Sequence, residues 1–214
     1  MFYLVKTPGW LRKLYPGCVW QMSPEEKIIY LTFDDGPHPV ATPFVLEALK
    51  KHQAKATFFC IGKNVLDRPE LYERIVEEGH SVGNHTFNHL NGWKTKDDDY
   101  LYNIAKAKKY VDAALFRPPY GRITKFQLKL LSTEHFNLTT VMWTVLSGDF
   151  DVRLDKQKCL QNVIQNTGNG SIVVFHDSEK AYDRMTFALP KVLEYFTKEG
   201  YRFEKIVIGE NKKR

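Results

Sequence analysis

Short apolar runs alternate along this chain with segments of helical periodicity, and most of the runs end in a polar cluster. The apolar runs predict strands over 27–34, 55–61, 81–85, 114–118, 138–145, 171–176 and 201–207. The helical periodicity predicts helices over 40–52, 69–79, 96–112, 124–133, 155–167 and 185–199. Strands that alternate with helices are typical of a parallel sheet in the α/β class. Seven predicted strands indicate a barrel that is one unit short of eight and incompletely closed.

Size and composition predict a single core. The chain has 214 residues, of which 43% are hydrophobic, and α/β barrels of this length are commonly undivided. Residues 1–26 are rich in Pro, Gly and Trp, and we expect them to form an irregular arm packed on the barrel. Residues 27–214 then form the barrel domain itself. We expect a monomer.

The net charge of +6 does not indicate a nucleic-acid partner. Basic residues are interleaved with acidic ones, as in 94–99, and the continuous basic block is confined to 212–214. We interpret the charges as a solvated surface and expect no nucleic acid. Residues 1–13 lack the apolar region of a signal peptide, and no stretch is long enough to cross a bilayer. The sequence as written predicts a cytoplasmic protein, or one of the cell envelope or exterior if an upstream leader is missing.

Five predicted strands end in residues that carry chemistry. In chain order these residues are Asp34 with Asp35, His85 with His89, Arg117, Asp149 and His176. Because the carboxyl ends of parallel strands meet at one face of a barrel, we expect these side chains to lie together. Polar strand ends in such a series predict an active site.

The spacing of His85 and His89 fits a metal site. One helical turn would place residues i and i+4 on a single face, although a lone pair with this spacing is often structural. Asp35 would add a carboxylate. Three protein ligands leave coordination positions free, which is typical of catalytic rather than structural zinc.

Adjacent carboxylates need separate roles, unless Asp34 and Asp35 are merely part of a turn with the following Gly and Pro. If Asp35 binds a cation, Asp34 remains to accept a proton from water as a general base. Arg117, at the end of the fourth strand, is either a surface residue or the cation that keeps Asp34 ionised. Asp149 would fix the tautomer of His176, which would act as the general acid.

These residues resemble the motifs of the polysaccharide deacetylase family (carbohydrate esterase family 4, the NodB-homology domain) from about 27 to 206. The matching motifs are Thr-Phe-Asp-Asp-Gly-Pro at 32–37, His-Thr-x-x-His at 85–89, Arg-Pro-Pro-Tyr-Gly at 117–121 and the apolar run into His176-Asp177. The resemblance implies a distorted (β/α)7 barrel, TIM-barrel-like, with 27–214 as the catalytic domain. It also implies that Asp34 is the base, that Asp35, His85 and His89 bind zinc or a similar divalent ion (cobalt, manganese or nickel), and that His176 is the acid.

The family pattern further implies roles for residues around this centre. Arg117 would orient Asp34, Asp149 would tune His176, and the backbone N–H of Tyr120 would help to hold the oxyanion. The fourth motif departs from the pattern, with Leu146 in place of an Asp and Phe150 in place of a Trp, and Val174 replaces a Leu in the fifth. We expect Phe150 and Val174 to shape the pocket for the acetyl methyl group.

The sequence therefore predicts a metal-dependent hydrolase that removes acetyl groups from N-acetylated sugars, such as N-acetylglucosamine in peptidoglycan, another polysaccharide or a chitooligosaccharide. An O-acetyl esterase acting on xylan would use the same residues. A barrel that binds carbohydrate without catalysis is the alternative from another class, and the complete set of catalytic residue types speaks against it.

Overall fold

The structure is a computed structural model that describes residues 3–208, so the basic block 212–214 lies outside the described residues. The strands are β1 Ile28–Asp34, β2 Ala56–Cys60, β3 Ser81–Asn84, β4 Leu115–Phe116, β5 Thr139–Thr140, β6 Val145–Leu146, β7 Ile172–His176 and β8 Arg202–Phe203. The helices are α1 Gly9–Leu14, α2 Ala41–Lys51, α3 Gly62–Asp67, α4 Pro69–Glu77, α5 Asp97–Ala107, α6 Lys125–Leu131, α7 Lys156–Asn166 and α8 Tyr182–Lys198. None of these helices has the length and apolar content that a membrane span requires.

The strands form one parallel sheet in the order β5-β4-β3-β2-β1-β7-β6, with β8 paired to the beginning of β1. Helices surround this curved sheet, and β5 and β6, the two ends of the path, do not pair with each other in the described part of the chain. This arrangement confirms the predicted seven-stranded, incompletely closed α/β barrel.

The predicted strand over 138–145 is wrong, because this segment crosses the opening of the barrel. The N–H of Val141 still bonds to Phe116 on one side, at 2.8 Å, whereas the N–H of Thr144 bonds to Ile172 on the other, at 3.0 Å. The segment therefore divides into β5 and β6. Since five peptide steps join Thr140 to Val145, the edges of the sheet are at most roughly 17 Å apart.

Residues before β1 pack along this opening. Val19 forms a parallel bridge with Val141, and Lys6 forms an antiparallel bridge with Val145. The arm was expected to be irregular, but Gly9–Leu14 is helical, and α3 is a second helix that the sequence pattern did not predict. The division of the chain at residue 26 stays a prediction.

Alternation along β1 explains how an apolar strand delivers a carboxylate to the barrel mouth. Ile29, Leu31 and Phe33 are fully buried in the main apolar cluster between the sheet and helices. Thr32 and Asp34 belong to the opposite face, because successive strand residues point to opposite sides. The central strand is therefore buried on both faces and ends in Asp34, which is 4% exposed.

Candidate active site

Asp35, His85 and His89 converge at the carboxyl ends of β1 and β3. Their ligand atoms all lie within 4.8 Å of one another. The Nε2 atoms of His89 and His85 lie 3.1 and 3.6 Å from Asp35 Oδ1. That oxygen is buried without a hydrogen bond of regular geometry among the described residues. The structure thus brings the three predicted ligands together.

The protonation of His85 shows that these atoms fit a cation. Its Nδ1 lies 2.7 Å from the backbone oxygen of Arg117, which can only accept, so Nδ1 carries a proton. Burial lowers the pKa of His85 to about 4, so the ring is neutral near pH 7. Its Nε2 therefore presents a lone pair toward the carboxylate of Asp35. Two acceptors that face each other are stable when a cation lies between them, and two imidazoles with one carboxylate are a zinc-type donor set.

Tyr120 supplies the corresponding contact to His89. Its hydroxyl oxygen lies 3.1 Å from His89 Nδ1, and the two ring centroids are 4.6 Å apart. Tyr120 belongs to the short 3-10 turn Pro119–Gly121, in the loop that follows β4. That loop, through the Arg117 carbonyl and the Tyr120 hydroxyl, therefore orients both imidazoles. The sequence motif indicated the backbone of Tyr120 but not this role of its side chain.

The helical turn expected between His85 and His89 is wrong. The segment after β3 is a loop in which Thr86 and His89 have positive φ angles of 62° and 57°. Asp35 and Tyr120 also have positive φ angles, 80° and 60°. Such conformations cost on the order of 1–3 kcal/mol each in non-glycine residues and cluster at functional sites. Strained loop backbone, rather than a helical turn, therefore directs these side chains toward one point.

Arg117 pairs with Asp34 inside the barrel. Its Nη1 donates to Asp34 Oδ1 and to the Thr32 hydroxyl, both at 2.7 Å. Its remaining nitrogens donate to the backbone oxygens of Val141 and Met142, at 3.2 and 3.0 Å. Arg117 is fully buried, so the surface alternative is excluded and its contacts fix the position of the carboxylate. Asp34 Oδ2 takes no part in this ion pair.

Asp149 and His176 form the second pair. Asp149 Oδ1 lies 2.7 Å from His176 Nδ1, and Oδ2 accepts the backbone N–H of the same residue at 2.7 Å. Burial lowers the pKa of His176, but the charge and hydrogen bond of Asp149 outweigh it and raise the pKa to about 10. The imidazole therefore carries a proton near neutral pH, as a general acid must.

The two pairs lie side by side because of the sheet register. Asp34 and His176 are direct partners in the β1–β7 ladder. Partners in a parallel ladder are about 4.8 Å apart and point to the same side. The base and acid candidates thus occupy one layer of the barrel mouth, beside the metal-ligand residues that follow β1 and β3.

Asp177 is a buried acid to which the sequence analysis gave no role. Its carboxylate accepts the Thr42 hydroxyl at 2.5 Å, and its backbone N–H donates to the oxygen of Asp34 at 3.1 Å. Burial and the nearby carboxylates of Asp35 and Asp34 raise its pKa to about 8. A Cβ atom at Gly36 would lie 2.0 Å from this carboxylate. Asp177 therefore packs directly against the loop that carries both acids, and its position after His176 was the available sequence signal.

The residues expected to contact substrate occupy different positions. The side chain of Tyr120 is 56% exposed at the rim, and Phe150 is half-buried with its ring 5.4 Å from that of His176. Val174 is only 1% exposed, in β7 opposite Leu146. The substrate roles of these side chains stay predictions.

The Asp34–Arg117 pair, the candidate metal-ligand trio and the Asp149–His176 pair therefore surround one mouth of a parallel barrel. A combination of base, acid and metal-ligand groups at the carboxyl ends of strands is typical of a metal-assisted hydrolase.

Comparisons with known proteins identify the family. The sequence model of the family described as polysaccharide deacetylase matches residues 21–137. A peptidoglycan-N-acetylglucosamine deacetylase of Bacillus cereus is 36% identical over 190 residues, which cover 86% of this chain and 88% of that protein. A chitooligosaccharide deacetylase of Azorhizobium caulinodans is 33% identical over 169 residues, covering 75% of this chain and 79% of that protein.

A solved structure extends the similarity to the fold. The crystal structure of a peptidoglycan N-acetylglucosamine deacetylase matches with a TM-score of 0.86 at 32% identity, covering 97% of this chain and 100% of that one. The chain belongs to the polysaccharide deacetylase family and is a deacetylase, which confirms the resemblance of its motifs.

Proposed function

We propose that this chain hydrolyses the N-acetyl group of N-acetylglucosamine residues in a carbohydrate polymer, with peptidoglycan as the first substrate to test. The convergence of the Asp34–Arg117 pair, the metal-ligand trio and the Asp149–His176 pair at one barrel mouth carries the proposal. Relatives named for deacetylation of peptidoglycan and of chitooligosaccharide support this substrate class.

Each group has one task in the reaction. A divalent metal held by the trio would polarise the acetyl carbonyl and acidify water. Asp34, fixed by Arg117, takes a proton from the attacking water. The N–H of Tyr120 donates to the oxyanion that develops at the carbonyl carbon. His176 gives its proton to the nitrogen as the C–N bond breaks, so the products are acetate and an amino sugar.

We propose zinc as the ion, because two imidazoles and a carboxylate form the donor set. Cobalt, manganese and nickel are the alternatives, and metal analysis of the purified protein distinguishes them. We further propose that Phe150 borders the space for the acetyl methyl group and that Val174 lies behind it.

Acetate release from peptidoglycan, chitooligosaccharides and acetylated xylan tests the function. We expect release from the N-acetylated substrates with one free amine per acetate, loss of release after chelation, and recovery on addition of zinc. His176→Ala should abolish it, whereas the control His135→Ala, at an exposed position, should not. Release from xylan esters alone would establish the O-acetyl esterase, and binding without release would establish the inactive barrel.

A further inference from the structure

The first described residues lie along β6, at one edge of the sheet. The N–H of Thr7 donates to the oxygen of Thr144 at 2.9 Å, and the N–H of Leu146 donates to the oxygen of Val5 at 2.8 Å. The antiparallel bridge to Val145 belongs to the same ladder. Since β6 runs toward the active-site mouth, the arm approaches that mouth as it is followed back toward the N-terminus.

The same register places Tyr3 beside Gly148, one residue before Asp149. A Cβ atom at Gly148 would lie 2.7 Å from the Tyr3 hydroxyl oxygen, and the φ angle of this glycine is 82°. The side chain of Tyr3 therefore packs directly on the turn that carries the partner of the general acid.

Tyr3 also begins a row of three rings. Its centroid lies 5.0 Å from that of Phe150, with an interplanar angle of 59°. Phe150 in turn meets His176 edge-on, at 5.4 Å and 70°. These distances are those of favourable aromatic pairs. Phe150 is half-buried on a turn, and its ring contacts both Tyr3 and His176.

We propose that Tyr3 is a positioning residue that holds Phe150 against His176, so that the arm forms part of the wall that limits acyl-group size. The proposal rests on the proposed deacetylase function. Tyr3 lies outside residues 21–137, which match the family model, as do Phe150 and His176. Loss of the Tyr3 ring frees Phe150 to move and widens the space beside the acid.

The ratio of kcat/KM on N-propionyl and N-acetyl chitooligosaccharides tests the proposal. Tyr3→Ala should raise this ratio about threefold or more, since contact with one methylene is worth roughly a factor of 4. Tyr3→Phe keeps the ring and should retain the wild-type ratio. Tyr102→Ala, a matched change at a position that is 71% exposed, should also retain it. An unchanged ratio in Tyr3→Ala would overturn the proposal.

A double-mutant cycle tests whether the effect passes through Phe150. Phe150→Ala alone should raise the ratio, and adding Tyr3→Ala should change it no further. An equal effect of Tyr3→Ala with and without Phe150 would overturn the proposed route.

The imidazole chemical shifts of His176 provide a readout that needs no substrate. The ring of Phe150 shifts these signals, so Tyr3→Ala should move them toward their positions in Phe150→Ala, and Tyr3→Phe should not. A wild-type protein without deacetylase activity would contradict the proposed function while these shifts still reported the contact. Unmoved signals in Tyr3→Ala would overturn the positioning role whatever the activity.

Discussion

Asp149 contacts His176 twice, through the imidazole and through the backbone N–H, so its carboxylate fixes the position of the ring and stabilises its protonated form. The other polar side chains at the barrel mouth are held in a similar way. Arg117 binds Asp34, and its carbonyl accepts from His85. Each group is therefore assigned a protonation state or an orientation by a partner that follows a different strand, which preorganises the site.

The Asp149–His176 pair determines how the rate should depend on pH. Burial opposes the charged form of His176, but Asp149, with smaller contributions from Asp35 and Asp34, raises its pKa from the ordinary 6.5 to about 10, so the proton needed by the leaving amine is lost only at alkaline pH. Asp149→Asn removes the negative charge and should move the alkaline limb of the rate profile to lower pH. In the wild type, the stability supplied by this pair is complete below about pH 6.5 and is lost by about pH 10.

The measurement is the rate of acetate release by the wild type and Asp149→Asn from about pH 6 to about pH 11. A limb that stays in place in Asp149→Asn would show that another group supplies the proton.

The second residue-scale prediction concerns the hydroxyl of Tyr120, which lies against His89 Nδ1. Tyr120→Phe retains the backbone N–H but removes this oxygen. Loss of such a partner to a metal-binding imidazole lowers metal affinity roughly 10- to 100-fold. Titration of the apoprotein with zinc and a competing chelator measures the effect, with Tyr102→Phe as the control. Equal zinc affinities in the wild type and Tyr120→Phe would show that the hydroxyl does not contribute to metal binding.

At the scale of elements, the loops after β1, β3 and β4 matter more than the strands themselves. Asp35, Thr86, His89 and Tyr120 all adopt left-handed backbone conformations in these loops. The strands supply a fixed register, and the strained loops turn the candidate metal ligands toward one another. The Asp177 carboxylate further restricts the conformation of the loop after β1, because it occupies the space beside Gly36.

That close approach leaves no room for a side chain at Gly36. Gly36→Ala should destabilise the protein by about 1–3 kcal/mol, because the new methyl group overlaps the carboxylate of Asp177. It should also weaken metal binding, since the displaced loop carries Asp35. Gly168→Ala is the matched control, because no atom lies within 4 Å of a Cβ there. Urea unfolding measures the stability of both variants, and equal midpoints would contradict the packing role of Gly36.

In the molecule as a whole, sequence patterns predicted the barrel and the residues that meet at its mouth, because each motif directly follows an apolar strand. They could not predict contacts that depend on distant segments, such as Tyr3 on Gly148 or Asp177 on Gly36. Sequence patterns also could not predict the split of 138–145 into β5 and β6, because it results from curvature of the sheet. The left-handed conformation of His89 could not be predicted either, since neighbouring loops hold it in place.

In the proposed mechanism the two adjacent carboxylates have different tasks, with Asp34 the base and Asp35 a metal ligand. Metal content and acetate release of Asp34→Asn and Asp35→Asn, measured on the same preparations, test it most directly. We predict that Asp34→Asn keeps the wild-type metal content but loses about 10²–10⁴-fold in rate, a typical general-base contribution. Asp35→Asn should lose both metal and activity. Near wild-type turnover in Asp34→Asn, or full metal content in Asp35→Asn, would contradict this division.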